Sequence, residues 1–234
     1  RKQGKALGKK GDGSDPIIVH PDVKRMLMQM RSMTAAARSI CYATAVALDV
    51  SVRAKDAKVR TEAAARGALL TPIAKAFSTD IGNEVAYLGV QVHGGMGFIE
   101  ETGAAQHYRD ARITAIYEGT NGIQAIDLVT RKLAANGGAA GWALLDELAA
   151  TGEPVGAFHD SSFGTTGGEL RWAVEELTRP SKWVLERVHS AANEGLAGGT
   201  HRGHPAAQPE EAFGEGDVEH GEDVEDQGGD LQPA

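Results

Sequence analysis

Apolar residues recur every three or four positions along much of this chain. After Pro21, Val23, Met26, Met30, Met33, Ala37 and Ile40 follow at spacings of 3, 4, 3, 4 and 3. That is the stripe of an amphipathic helix, predicted to run to about Val50. Pro21 suits its first turn, where a missing N–H does no harm. A second stripe, Leu70, Ile73, Phe77, Ile81, Val85, Leu88 and Val92, recurs at 3, 4, 4, 4, 3 and 4. The charged stretch "SVRAKDAKVRTE" is predicted to hold the joint between the two helices. Pro72 lies within the second stripe and is expected to kink that helix or mark its effective start.

"HGGMGF" is predicted to end the second helix, with Gly94 or Gly95 at a left-handed C′ position. "TGAAQHYRDARI" reads as a short helix. Thr120 or Asn121 can cap another, with Ile123, Ile126, Val129 or Thr130, and Leu133 along one side, stopped by "NGG" at 136–138. Two further helices are expected at about 139–150 and 168–190, separated by the Gly/Pro-rich "TGEPVGAFHDSSFGTTGG". Strand signals are scarce. Long helices with short joints predict an all-α fold, an up-and-down helical bundle. The predicted organisation is a flexible basic lead (residues 1–19), a bundle (20–135), additional helices (136–192) and a disordered acidic tail (193–234).

Charge sharpens the last boundary. The chain carries a net charge of −8. The segment from Asn193 onward holds eleven acids and a single arginine, Arg202, so acidity belongs to the tail and the remainder is slightly basic. With few large apolar residues, that tail cannot offset the entropy lost on ordering. Cys41 is the only cysteine, which excludes an internal disulfide and a cysteine-built zinc site. No apolar run is long enough to predict a membrane span. The N-terminus lacks an apolar core typical of a secretory signal and an initiating Met, so the chain is expected to begin inside a longer, cytoplasmic protein. His20, His93 and His107 have no ligand spacing and are expected to be structural or solvated. Arg109, Asp110 and Arg112 are expected to form a local ion-pair network.

Two stretches carry candidate chemistry. The first is "HGGMG", whose glycines would let backbone N–H groups approach an anion. The dinucleotide fingerprint needs a preceding strand and a third glycine; here a helix precedes and Phe98-Ile99-Glu100 follows. The pattern alone favours a plain helix cap and turn. The second is "RITAIYEGTNGIQAIDLVTRKL". Glu118 is a lone acid between Ile116-Tyr117 and Gly119, at the mouth of a helix. An apolar wall from Ile116 and Tyr117 would raise its pKa toward that of a general base. Gly119 leaves room for a ligand, and Thr120 and Asn121 offer hydrogen-bonding groups. One base without a second acid suits proton removal beside a carbonyl, provided another group accepts the electrons.

"LGVQVHGGMGFIEETGAAQHYRDARITAIYEGTNGIQAIDLVTRKL" strongly resembles the C-terminal helical domain of acyl-CoA dehydrogenases. Gln91-x-x-Gly94-Gly95-x-Gly97-Phe98 and Tyr117-Glu118-Gly119-Thr120, followed by Ile123-Gln124, carry the likeness. The wording of "LLTPIAKAFSTDIG" and "HPDVKRMLMQMRSM" resembles the branch that includes 3-methylmercaptopropionyl-CoA dehydrogenase. The likeness covers residues 1 to about 190. It implies that Glu118 takes the α-proton of an acyl-CoA thioester while FAD accepts a hydride from the β-carbon. It places Gly119 against the thioester, and Thr120, Asn121 and Gly122 against FAD held by the same subunit. Gln91, Val92, His93, Gly94 and Gly95, with Arg1 and Gln3, would meet FAD of a neighbouring subunit. A homodimer or homotetramer is implied, with electron-transfer flavoprotein or a similar acceptor as redox partner and no nucleic acid. The family's N-terminal helical and middle β-domains are absent, so the chain by itself is expected to turn over slowly or not at all. The same base serves acyl-CoA oxidases. A helical oligomerisation module that keeps the motif without holding flavin is the non-catalytic alternative.

Overall fold

The computed structural model describes residues 1–157 and 161–198. Among these residues are seven α-helices and one isolated β-bridge, Lys2 to Pro16. The all-α expectation holds. Helices α1 (Pro21–Arg53) and α2 (Ala57–His93) form an antiparallel hairpin. Its sense shows in the cross-helix pairs. Gln29 donates to Glu84 Oε1 at 2.6 Å, Cys41 lies 3.4 Å from Ser78, and Leu48 sits against Gly67. A Cβ added at Gly67 would stand 2.8 Å from Leu48 Cδ2, so glycine lets the two backbones approach there.

The joint at 54–56 falls inside the predicted charged stretch. Its chemistry closes both helix ends. Asp56 caps α2 by accepting from the backbone N–H groups of Lys58 and Val59 at 2.7 and 3.3 Å. Arg60 Nη1 donates to the carbonyls of Ala54 and Lys55 at 2.8 and 2.9 Å.

Helix α2 is the axis of the fold, packed by α1, α3 (Gly95–Phe98), α4 (Ala104–Thr114), α5 (Asn121–Asp127) and α6 (Ala139–Ala157). Leu69, Leu70, Pro72 and Ala74 are buried together, so this part of the helix is covered on more than one side. That explains why α2 runs through Pro72 from a start fifteen residues earlier, at Ala57, and Pro72 does not begin it. Packing on several faces outweighs the lost N–H bond. Ile81 and Leu88 are buried as the spacing predicts, whereas Phe77 is 42% exposed. Contrary to the expectation from apolar run length, α1 is by length and composition alone able to cross a bilayer, and only 11% of its most apolar stretch is buried; its buried residues are Met26, Thr44 and Ala47.

Helix α6 continues past its predicted end to Ala157, through Gly152 and Pro154. A Cβ at Gly152 would lie 3.2 Å from Arg171 Cγ, so the glycine serves close packing on α7 (Thr166–Gly198) rather than a break. Helix α7 is longer than predicted at both ends and passes Pro180. Residues 193–198, expected in the acidic tail, complete it. The rest of that tail lies outside the described residues. Arg66 ties α2 to α6 by a two-pronged pair with Glu147, at 2.5 and 3.1 Å.

The basic lead, expected to be loose, is closed by hydrogen bonds. Gln3 N donates to Asp15 O, Asp15 N to Gly4 O and Ile17 N to Arg1 O, at 2.8 to 3.1 Å. The Asp15 carboxylate accepts from Ala6 N at 2.8 Å, and His20 Nε2 meets Gln3 O at 2.8 Å. This clasp delivers Arg1 to the far end of α2.

Two outcomes are expected. Leu69→Ala, at a side chain only 2% exposed, should lower unfolding stability in urea by about 2–5 kcal/mol. The Ala6 N–H bond, aided by Lys9 and Lys5, holds the Asp15 carboxyl below the ordinary aspartate value. Its contribution is therefore complete above that ordinary value and disappears as pH falls through the depressed one. An NMR titration should show the Ala6 amide resonance moving with that low midpoint, and Asp15→Ala should abolish the step.

Candidate active site

At its C-terminal end, α2 stops because Gly94 takes φ 65°, ψ −145°. The pattern predicts a left-handed C′ residue. The φ is positive as expected, but the ψ places Gly94 in a region that essentially only glycine occupies. The next glycines differ in their roles. Open space surrounds a Cβ built at Gly95, whereas one at Gly97 would lie 2.3 Å from the Val90 carbonyl oxygen. Gly97 is thus required by the close return of α3 onto α2. Against this turn lies Arg1. Its Nη2 donates to Val92 O at 3.1 Å, a Cβ at Gly94 would stand 2.9 Å from that nitrogen, and Nη1 donates to Gln3 Oε1. Gln91 and His93 are exposed, and His93 Nδ1 lies 2.8 Å from Gly89 O.

Arg109 does not pair with Asp110, the partner expected from their adjacency. Its guanidinium makes a two-pronged bond to Glu100 at 2.8 and 2.6 Å. Glu100 is held below the usual glutamate range by this bond, and Arg109 is raised by the same contact. Asp110 instead accepts from Gln106 at 2.8 Å.

The second cluster surrounds Glu118. Helix α4 ends in a turn in which Ile116 N and Tyr117 N both donate to Ile113 O, at 2.9 and 3.1 Å. Glu118 follows at φ 54° and Gly119 at φ 80°. A glutamate in that conformation is uncommon, and its strain is of order 1 kcal/mol or more. Thr120, rather than Asn121, caps α5, accepting from Ile123 N at 3.3 Å. Gln124 Nε2 reaches back to Glu118 O at 3.2 Å and Gly119 O at 3.5 Å.

Asn121 fastens this turn to α2. Its Nδ2 donates to Asp80 Oδ1 at 2.7 Å and Thr79 Oγ1 at 3.0 Å; the Thr79 hydroxyl itself donates to Lys75 O at 2.8 Å. Lys75 Nζ completes the joint, donating to Gly119 O at 2.8 Å and Asn121 Oδ1 at 3.0 Å. Lys75, Thr79 and Asp80 were not anticipated. Lys75 and Thr79 are one helical turn apart beside the apolar stripe, but which loop meets them is a tertiary matter.

Helix α5 is shorter than predicted. A π-helical turn, Leu128–Lys132, follows it, and its extra residue shifts the side chains that come after. Leu128, Val129 and Leu133 line an apolar hollow with Leu69, Ile73 and Leu145, while Ile123 and Ile126, which precede the π turn, are 54% and 59% exposed.

The predicted residues therefore form two groups. Arg1, Gln3, Val92 and Gly94 meet at one end of α2, with Gln91 and His93 exposed and Gly95 open beside them. Glu118, Gly119, Thr120 and Asn121 meet near Thr79, with Gly122 exposed in the first turn of α5. Thr79 and His93 are about 20 Å apart along the helix, so one chain does not bring both groups to one reacting atom. The expected wall around Glu118 is also not closed by this chain. Glu118 is exposed, and Ile116 and Tyr117 are 45% and 49% exposed.

Residues 6–133, more than half the chain, match the family described as "Acyl-CoA dehydrogenase, C-terminal domain". The chain is 51% identical to 3-methylmercaptopropionyl-CoA dehydrogenase of Ruegeria pomeroyi over 136 residues, which are 58% of this chain and 23% of that protein. It is 37% identical over 116 residues to a butyryl-CoA dehydrogenase of Syntrophomonas wolfei, covering 50% and 19%. A broad-specificity linear acyl-CoA dehydrogenase of Mycobacterium tuberculosis is 33% identical over 151 residues, covering 60% and 24%. The chain thus spans about a quarter or less of the length of these relatives.

The strain at position 118 has a measurable consequence. Glu118→Asn, a residue that tolerates left-handed backbone, should raise the urea midpoint by the equivalent of about 0.5–1 kcal/mol. Gly97→Ala should do the reverse, by about 1–3 kcal/mol, because the obstructing atom belongs to the backbone.

Proposed function

The chain belongs to the acyl-CoA dehydrogenase C-terminal domain family, and we propose that it is the part of an FAD-dependent acyl-CoA dehydrogenase that carries the catalytic base, Glu118. The observation that supports this most is the left-handed pair Glu118–Gly119, held at the mouth of α5 by bonds from Lys75 and Gln124. A solvated surface glutamate gains nothing from such a conformation, whereas a base needs one fixed direction.

The base acts as a carboxylate. It removes the α-proton of an acyl-CoA thioester, and the electron pair left on the α-carbon forms the α,β double bond as a hydride leaves the β-carbon. Bound FAD supplies the acceptor for that hydride. A Cβ at Gly119 would stand 3.1 Å from Gln124 Nε2 and 3.5 Å from Ile123 Cγ2, so the glycine serves the bend and its close packing, and the thioester would approach from the open side of the carboxylate. The exposed Ile113, Ile116, Tyr117 and Ile123 form an unfinished apolar rim. Covering it with the rest of the enzyme would exclude water around Glu118 and strengthen its basicity.

The residues fit the implied cofactor at both groups. The Arg1 guanidinium beside the Gly94 turn and the open backbone at Gly95 suit an anionic dinucleotide. Thr120 and Gly122 present an uncrowded surface at the second group, where the Asn121 carboxamide is already occupied by α2. The separation of the groups suits FAD molecules held by different subunits of a homodimer or homotetramer, the closed assembly we propose. Electron-transfer flavoprotein or a similar carrier would reoxidise the flavin.

In the FAD-loaded enzyme, Glu118→Gln should retain flavin and acyl-CoA binding while slowing exchange of the acyl α-proton with solvent by about 10²- to 10⁴-fold or more. Retained exchange would place the base elsewhere. The 234-residue chain alone should show little or no turnover with acyl-CoA and an artificial electron acceptor; ready turnover would contradict its dependence on the remaining domains.

A further inference from the structure

We propose that Lys75 is a positioning residue for Glu118, its ammonium acting as the strut between α2 and the carbonyl of Gly119. The proposal rests on the reading of Glu118 as the base. Lys75 is half-buried and its Nζ bonds two acceptors that flank the bend, Gly119 O at 2.8 Å and Asn121 Oδ1 at 3.0 Å. Neither acceptor is a carboxylate, so these two bonds are not an ordinary ion pair.

The geometry accounts for the choice of a cation. Two successive residues at positive φ turn the Gly119 carbonyl out of any helical bonding pattern. The amide of Gln124 approaches that oxygen only at 3.5 Å. A charged donor binds a carbonyl more strongly than a neutral amide does. The Asn121 carboxamide then links the ammonium to Asp80, accepting from Lys75 and donating to the carboxylate at 2.7 Å. Cation, amide and anion are aligned so that each bond polarises the next. Lys75 and Asp80 are both carried by α2, so the longest helix of the hairpin sets the direction in which the Glu118 backbone leaves the bend.

The test has two arms. Lys75→Met keeps the length and apolar stem of the side chain and removes the ammonium. In the 234-residue chain, hydrogen exchange at the Asn121 amide, which donates across the bend to Ala115 O at 3.3 Å, should accelerate at least about 10-fold. In the FAD-loaded enzyme, the same variant should lose about 10- to 100-fold in kcat with KM within a factor of about two, as expected for a misplaced base. Lys75→Cys in a Cys41→Ser background, aminoethylated to restore an ammonium at nearly the original reach, should recover both properties. Lys75→Gln, also a good helix former, replaces Lys75→Met if the latter does not fold.

Unchanged amide exchange and kcat would overturn the proposal, as would a rise in KM at constant kcat, which would mark Lys75 as a substrate contact. Failure of the aminoethylated variant to recover would also overturn it. Should Glu118→Gln retain α-proton exchange, the base assignment fails separately, and the amide-exchange arm still reports whether Lys75 holds the bend.

Discussion

The bend at Glu118–Gly119 depends on one joint, the docking of Asn121 and Gly119 onto α2. Without it, a glutamate at φ 54° would relax into a commoner conformation, since strain of this kind persists only where surrounding bonds over-determine the backbone. Lys75, Thr79 and Asp80 supply those bonds from two consecutive turns of α2. The remaining architecture serves to make α2 rigid enough to be a reference: α1 covers one side, and α4 and α6 cover others.

The same helix organises the second group. Its C-terminal end stops at Gly94 because the turn demands a backbone conformation open essentially to glycine, and Gly97 returns against Val90 with no room for a side chain. The clasp formed by the first nineteen residues delivers Arg1 to this turn. One long helix thus fastens the Glu118–Gly119 bend near its middle and carries a glycine-lined turn, met by Arg1, at its end. The two features lie too far apart along α2 to meet at one atom, and the proposed FAD shared between subunits would reconcile them.

The unfinished character of the Glu118 surroundings belongs to the same picture. Exposed Ile113, Ile116, Tyr117 and Ile123 give the carboxylate apolar neighbours without enclosure. For a chain spanning about a quarter of its relatives' length, that rim is where further protein would complete the pocket. In this chain the Glu118 backbone direction is fixed while its side chain remains exposed.

Sequence periodicity determined the all-α class, the two long helices and their joint, because a 3.6-residue repeat can bury one face only as a helix. Motif spacing also marked Glu118 and the glycine turn, since backbone approach and lone acids are visible in residue types. It misjudged Phe77, Ile123, Ile126 and the ends of α6 and α7. Whether an apolar side chain is covered, and how far a helix runs, depends on neighbouring helices, which no repeat within one helix announces. It also read the N-terminal lead as loose and did not see Lys75, Thr79 and Asp80 as part of the site. Those residues matter only through contacts more than forty positions away, and only the packed chain brings them together.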